Sequence, residues 1–129
     1  GQAALLPVDS DRSARRIRDA LIHRFGVDVA VVVSDTFGRP WRRGVTDVAI
    51  GCAGLRPVVD LRGTTDALGR ELQVTEVAVV DEIAAAAELV MGKAYGIPVA
   101  IVRGMDPAWF GDGSVVDDVV RSPDEDLFR

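Results

Sequence analysis

The chain has 129 residues, 48% of them apolar, which suits one domain with a core of its own and is too apolar for a disordered segment. A formal charge of -5 argues against a general nucleic-acid binder, whose surface would be basic. The single cysteine, Cys52, excludes an internal disulfide framework, and no apolar run approaches the roughly 20 residues of a membrane span, so a reducing, cytoplasmic setting with no membrane partner is expected.

The first residue is Gly1, and a strand-like run, AALLPV, follows almost at once, as in a segment cut from something longer. Ser10 or Asp11 is placed to cap a helix running to about Phe25, with Ala14, Ile17, Leu21 and Phe25 on one side. Arg15, Arg16 and Arg18 take much of its remaining surface, and Gly26 stops it. Residues Val27 to Val33 are rich in β-branched side chains and apolar but for Asp28, which predicts a strand buried on both faces. A loop is expected from Ser34 to Gly44, then strands at Thr46 to Ile50 and around Pro57 to Leu61. The polar stretch RGTTDALGREL leads to the longest helix, expected from Thr75 to near Lys93 and apolar on almost every side, hence buried in the domain or against a partner. Ile97 to Val102 reads as a last core strand, and RSPDEDLFR as an ending or linker. Strands and helices mix without strict alternation, which predicts an α/β or α+β domain with helices packed on a mixed sheet.

Few residues are equipped for chemistry. His23 is the only histidine and lies in the first amphipathic helix, so neither a zinc site nor a Ser-His-Asp arrangement is supported. No Walker loop and no Gly-x-Gly-x-x-Gly motif is present. The stretch SDTFGRPWRRG, residues 34–44, differs. Asp35 and Thr36 at a strand end are suited to a hard cation such as magnesium or manganese, while Arg39, Arg42 and Arg43 offer planar forks to phosphate or carboxylate oxygens. The competing readings are that Asp35 caps the following turn and that the arginines pair with Asp35 and Asp47. Trp41 suits either stacking on a flat heterocycle or anchoring the loop. Asp81 and Glu88 lie on nearly one face of the long helix, too far apart to chelate one ion, and Lys93 after Gly92 suits a phosphate as well as the helix dipole. Arg62, Asp66 and Arg70 make a further charged cluster whose spacing decides nothing.

The segments LLPVDSDRSARRIRDAL, VAVVVSDTFGRPWRRGVTDVAIGCAGL, DLRGTTDALGRELQVTEVAVVDEIAAAAELVMGK and IPVAIVRG together resemble the coenzyme F-420-0:gamma-L-glutamyl ligases, in order and nearly end to end. In actinobacteria that ligase precedes a flavin-binding nitroreductase-like domain. The resemblance implies a GTP-dependent ligase joining L-glutamate to the carboxylate of a deazaflavin coenzyme precursor and then adding glutamates through gamma linkages. It also implies an intertwined homodimer and Mg²⁺ or Mn²⁺ at the site, with K⁺ as a further cation. By motif, Asp35 would hold one divalent ion and Thr36 a second, Arg39 and Arg42 would lie near the reacting anions, and the segment around Glu88 to Gly96, with Glu88, Met91, Gly92 and Lys93, would help hold the nucleotide or the second metal. Two departures stand out. Gly44-Val45 occupies the place of a common Gly-Gln, and the family's N-terminal part, with an Asp-x-x-Asn metal element, would lie before Gly1. Residues 1–129 then correspond to the C-terminal part of a ligase domain. The rivals are a non-catalytic dimerising or substrate-docking half and a different metal-dependent phosphotransferase.

Overall fold

The computed structural model describes residues 5–126. Helix α1 spans Ser10–Phe25 and ends at Gly26, whose φ of 63° is a left-handed conformation that a side chain would disfavour. Its N-cap is Asp9, not Ser10 or Asp11: the Asp9 carboxylate accepts from Arg12 N at 2.7 Å. Ala14 is fully buried, yet Ile17 and Phe25 are about half exposed, so the expected apolar stripe is only partly covered. His23 is on the surface, as expected.

Strands β1, Val31–Gly38, and β2, Val45–Ala53, form an antiparallel hairpin, with a register shift between Val33 and Ser34. The expected strand starts four residues late and runs through Ser34, Asp35 and Thr36, which are paired with β2 instead of standing in a loop. The tip is shorter than predicted, 39–44, and no part of β1 is buried on both faces. Strands β3, Val59–Asp60, and β4, Glu76–Val77, close a second antiparallel pair around the polar stretch. The architecture is thus mixed α/β, but two small antiparallel sheets replace the single mixed sheet expected. Helix α2 spans Val79–Met91; residues 76–77 before it are strand, because Thr75 O accepts from Leu61 N and the segment is drawn into the hairpin.

Both long helices pack on β2. Where α1 crosses it, Gly51 has no room for a side chain, since a Cβ would run into the Ser10–Asp11 backbone. A core of Ala49, Cys52, Leu55, Val80 and Val115 follows, edged by Ala30, Val32, Ile83, Trp109 and Val119. Short helix α3, Val115–Asp118, contributes Val115 and is capped by Ser114, whose hydroxyl accepts from Asp117 N at 3.0 Å. Asp81, in the first turn of α2, accepts from Ala49 N at 3.0 Å and ties that helix to β2. The charged cluster separates into local pairs. Arg62 bonds Asp60 at 2.6 Å and Glu76 at 3.2 Å, and Arg70 bonds Asp66 at 3.1 Å, pinning the polar hairpin.

Ile97 to Val102 is not a core strand. It makes no backbone hydrogen bond among the described residues, and Val99 and Ile101 are 71% and 77% exposed. Helix α2 is likewise buried on one side only, with Val79, Val80 and Ala84 covered while Leu89 and Val90 face outward. An apolar sequence signals a need for cover and cannot say which polypeptide supplies it. Of AALLPV, the first two residues lie outside the described residues, and Leu5, Leu6 and Val8 are exposed with no strand formed. The last three residues of RSPDEDLFR also lie outside them.

Cys52 is fully buried, and its thiol lies 3.8 Å from Gly113 O and 3.9 Å from Leu55 O. Burial first, and then the charges of Asp11 and Asp118, push it up to about 11. Thiol reagents attack the thiolate. Disulfide-exchange labelling at pH 8 should therefore reach Cys52 only on unfolding; rapid stoichiometric labelling of native protein would show that the thiol is not enclosed as described.

Candidate functional site

The site lies where β1, β2 and the end of α2 meet. Ser34 and Thr36 are two apart on β1 and so share one face, and Thr36 is the register partner of Asp47. Along β2, residues 47, 49 and 51 are the buried alternates, which turns Asp47 inward with a side chain only 6% exposed. Three donors converge on its carboxylate: Lys93 Nζ at 2.5 Å and Thr36 Oγ1 at 3.4 Å on Oδ1, and Ser34 Oγ at 3.3 Å on Oδ2. Lys93 also donates to Thr36 Oγ1, closing a triangle of ammonium, hydroxyl and carboxylate.

Lys93 comes two residues after α2 ends. Gly92 takes φ 60° and spends its N–H on Glu88 O at 2.8 Å, which stops the helix and releases the lysine toward β1. Glu88 Oε1 stands 3.9 Å from the ammonium. The Asp47 hydrogen bond chiefly, assisted by the charges of Asp47, Glu88 and Asp35, raises the Lys93 pKa above its ordinary value, so the amine is charged at neutral pH. Asp35 is half-buried; its Oδ1 accepts from Thr36 N at 2.7 Å, and its Oδ2 bonds nothing among the described residues. Three carboxylates thus surround one ammonium, which leaves the cluster two charges negative (three less one).

Of the predicted residues, Asp35, Thr36, Glu88 and Lys93 come together, brought from strand and helix 52 or more positions apart. Gly92 has its N–H engaged in the helix cap, which removes it as a backbone donor to an anion. Met91 is the last residue of α2 and half-buried. Arg39, Arg42 and Arg43 are exposed, and none forms an ion pair among the described residues. Their proposed pairing with Asp35 and Asp47 is not seen; Lys93 has taken Asp47. Trp41 sits at the hairpin tip with φ 57° and 92% exposure, so it does not anchor the loop by burial. Val45, at the Gly-Gln departure, is 59% exposed and opposite Gly38.

Sequence reasoning missed Asp47 except as a counter-charge. The signal was available: in VTDVAIG it occupies an inward alternate, and a buried carboxylate requires partners. For divalent ions, the hard oxygen set of Asp35 and Thr36 fits Mg²⁺ or Mn²⁺, because one Asp35 oxygen and one hydroxyl lone pair are left over. No group of three or more His, Cys, Asp or Glu converges as a metal cage among the described residues. Among the described residues, no helix is long and apolar enough to cross a membrane.

Comparison with known proteins bears on the family to which the chain belongs. The chain is 48% identical to the coenzyme F420:L-glutamate ligase of Methanopyrus kandleri, the alignment covering 100% of this chain and 52% of that protein. It is 45% identical to the ligase of the same description from Methanothermobacter thermautotrophicus (100% and 52%) and 44% identical to that of Methanocaldococcus jannaschii (97% and 50%). The chain spans about half the length of the curated relatives it matches. Residues 1–104, which hold β1, β2, α2 and every residue of the cluster, match the F420-0:Gamma-glutamyl ligase family, and the chain belongs to that family.

Proposed function

We propose that this chain is part of a GTP-dependent ligase that adds L-glutamate, through gamma linkages, to a deazaflavin coenzyme precursor. The observation that supports this most is the meeting of Asp35, Thr36, Asp47, Glu88 and Lys93 inside the family-matched region. A precursor carboxylate oxygen attacks the γ-phosphorus of GTP and GDP leaves. The glutamate amine then attacks the acyl carbonyl, a proton is lost from nitrogen, and the C–O bond to phosphate breaks. Little covalent chemistry falls to the protein in such transfers; its task is to position anions and stabilise charge. Asp35 and Thr36 would hold Mg²⁺ or Mn²⁺, which when bound neutralises phosphate charge. Lys93 presents an ammonium to the nucleotide, with Glu88 3.9 Å from it and Met91 two residues before it in the chain, and Arg39 and Arg42, exposed and without an ion pair among the described residues, approach the reacting anions. Trp41 offers an open indole face to a flat ring.

This reading includes a cytoplasmic location, K⁺ as an additional cation, a homodimer and an upstream half that carries more of the nucleotide and metal site. The exposed apolar stretch from Ile97 to Val102 supports a covering polypeptide. The actinobacterial type, with a nitroreductase-like domain after the ligase domain, rests on the sequence resemblance alone. The test is phosphate release from GTP by the full-length protein, with both acceptors present or withheld. Release that requires L-glutamate and the deazaflavin precursor together is expected. Release indifferent to glutamate would favour another metal-dependent phosphotransferase.

A further inference from the structure

Asp47 has no role in the scheme above, yet it is the most enclosed carboxylate of the cluster. Its partners are unusual in kind. The β1 hydroxyls of Ser34 and Thr36 and the ammonium of Lys93 end on it, and no arginine among the described residues does. Lys93 approaches on a four-carbon stem that is half exposed, and a stem of that kind loses considerable rotamer freedom when its tip is fixed. What fixes the tip is the pair of contacts to Asp47 and Thr36, since Glu88 stands off at 3.9 Å. Asp47 itself cannot wander, being inward on β2 and opposite Thr36 in register.

We propose that Asp47 is a positioning residue that pins the Lys93 ammonium beside Thr36, presenting a fixed point charge to the phosphates of the nucleotide. The proposal rests on the nucleotide-dependent reading above. The arrangement also orients Thr36. Its hydroxyl proton goes to Asp47 and one lone pair accepts from Lys93, which leaves one lone pair over for a cation. A purely structural Asp47 would tie β1 to β2, which eight register pairs already accomplish.

A double-mutant cycle separates the two roles. In the full-length protein, wild type, Asp47→Asn, Lys93→Met and the double variant are titrated with a fluorescent GTP analogue at fixed Mg²⁺, and their melting temperatures are recorded. Each single change should weaken nucleotide binding by about tenfold, and the double change by about tenfold again in total, not a hundredfold, because Asp47 acts through Lys93. Losses that multiply in the double variant would overturn the inference, as would an Asp47→Asn protein that melts lower and binds the nucleotide normally. If the amide variant does not fold, Asp47→Glu, which keeps the charge and shifts it by one methylene, enters the same cycle with the same expectation. Failure of wild type to bind the analogue at all would overturn the nucleotide reading together with this one. Binding that ignores Lys93→Met would overturn this one alone.

Discussion

Asp35→Asn in the full-length protein is expected to lower GTP turnover by roughly 100-fold or more, about 2.7 kcal/mol of transition-state stabilisation, and to abolish its dependence on divalent ions. The substitution keeps size and removes charge. Its structural cost is small, because the hydrogen bond that Asp35 accepts, from Thr36 N at 2.7 Å, is one an amide oxygen accepts equally well. The electrostatic cost is large. Neutralising Asp35 takes the cluster of Asp35, Asp47, Glu88 and Lys93 from two net negative charges to one, and it removes an oxygen that nothing else engages. Melting temperature and ion-dependent turnover should therefore part company, the first nearly unchanged and the second lost. Equal turnover and equal Mn²⁺ affinity in the variant would mean that Asp35 serves only its local contact with Thr36 N.

At the candidate site the residue types are legible in the sequence and their arrangement is not. Asp35 and Thr36 were recognisable because charged and hydroxyl side chains after VAVVV have no packing reason to be there. Their place on a paired strand was not, because β1 gains its register from β2, a tertiary partner that local composition does not reveal. The same limit explains Ile97 to Val102. Local pattern reports an apolar segment, but pairing depends on a tertiary partner, and among the described residues none hydrogen-bonds its backbone. Helix α2 is legible in its composition except at its start, where Glu76 and Val77 pair with β3. Lys93 and Asp47 are 46 residues apart, and neither is informative without the other.

Asp11 illustrates a residue whose importance is wholly structural, and its loss should be the most damaging single change to stability. Read along the chain it is one of several polar residues at a helix start, a candidate cap. In the fold it is 3% exposed and turned inward on the same side as Ala14, while Asp9 does the capping. Its Oδ1 accepts from Cys52 N at 2.8 Å and from Val115 N at 2.9 Å, and its Oδ2 from Val116 N at 3.2 Å. One carboxylate therefore joins α1, β2 and α3, from positions up to 105 residues apart. Asp11→Ala leaves three backbone donors without this acceptor, at about 1–3 kcal/mol for each one kept from water. A loss of roughly 3–5 kcal/mol is a large part of the roughly 5–15 kcal/mol that holds a domain together. Asp11→Asn should fall between, since its oxygen still serves Cys52 and Val115 while its amide group meets the Val116 N–H donor to donor. Asp9→Ala, which removes an exposed cap bond and a long, exposed ion pair with Arg15, should cost about 1 kcal/mol. Urea titration of the three variants beside wild type ranks them. An Asp11→Ala protein no less stable than Asp9→Ala would show that water or side-chain rearrangement satisfies those donors and that the three-way tie contributes little.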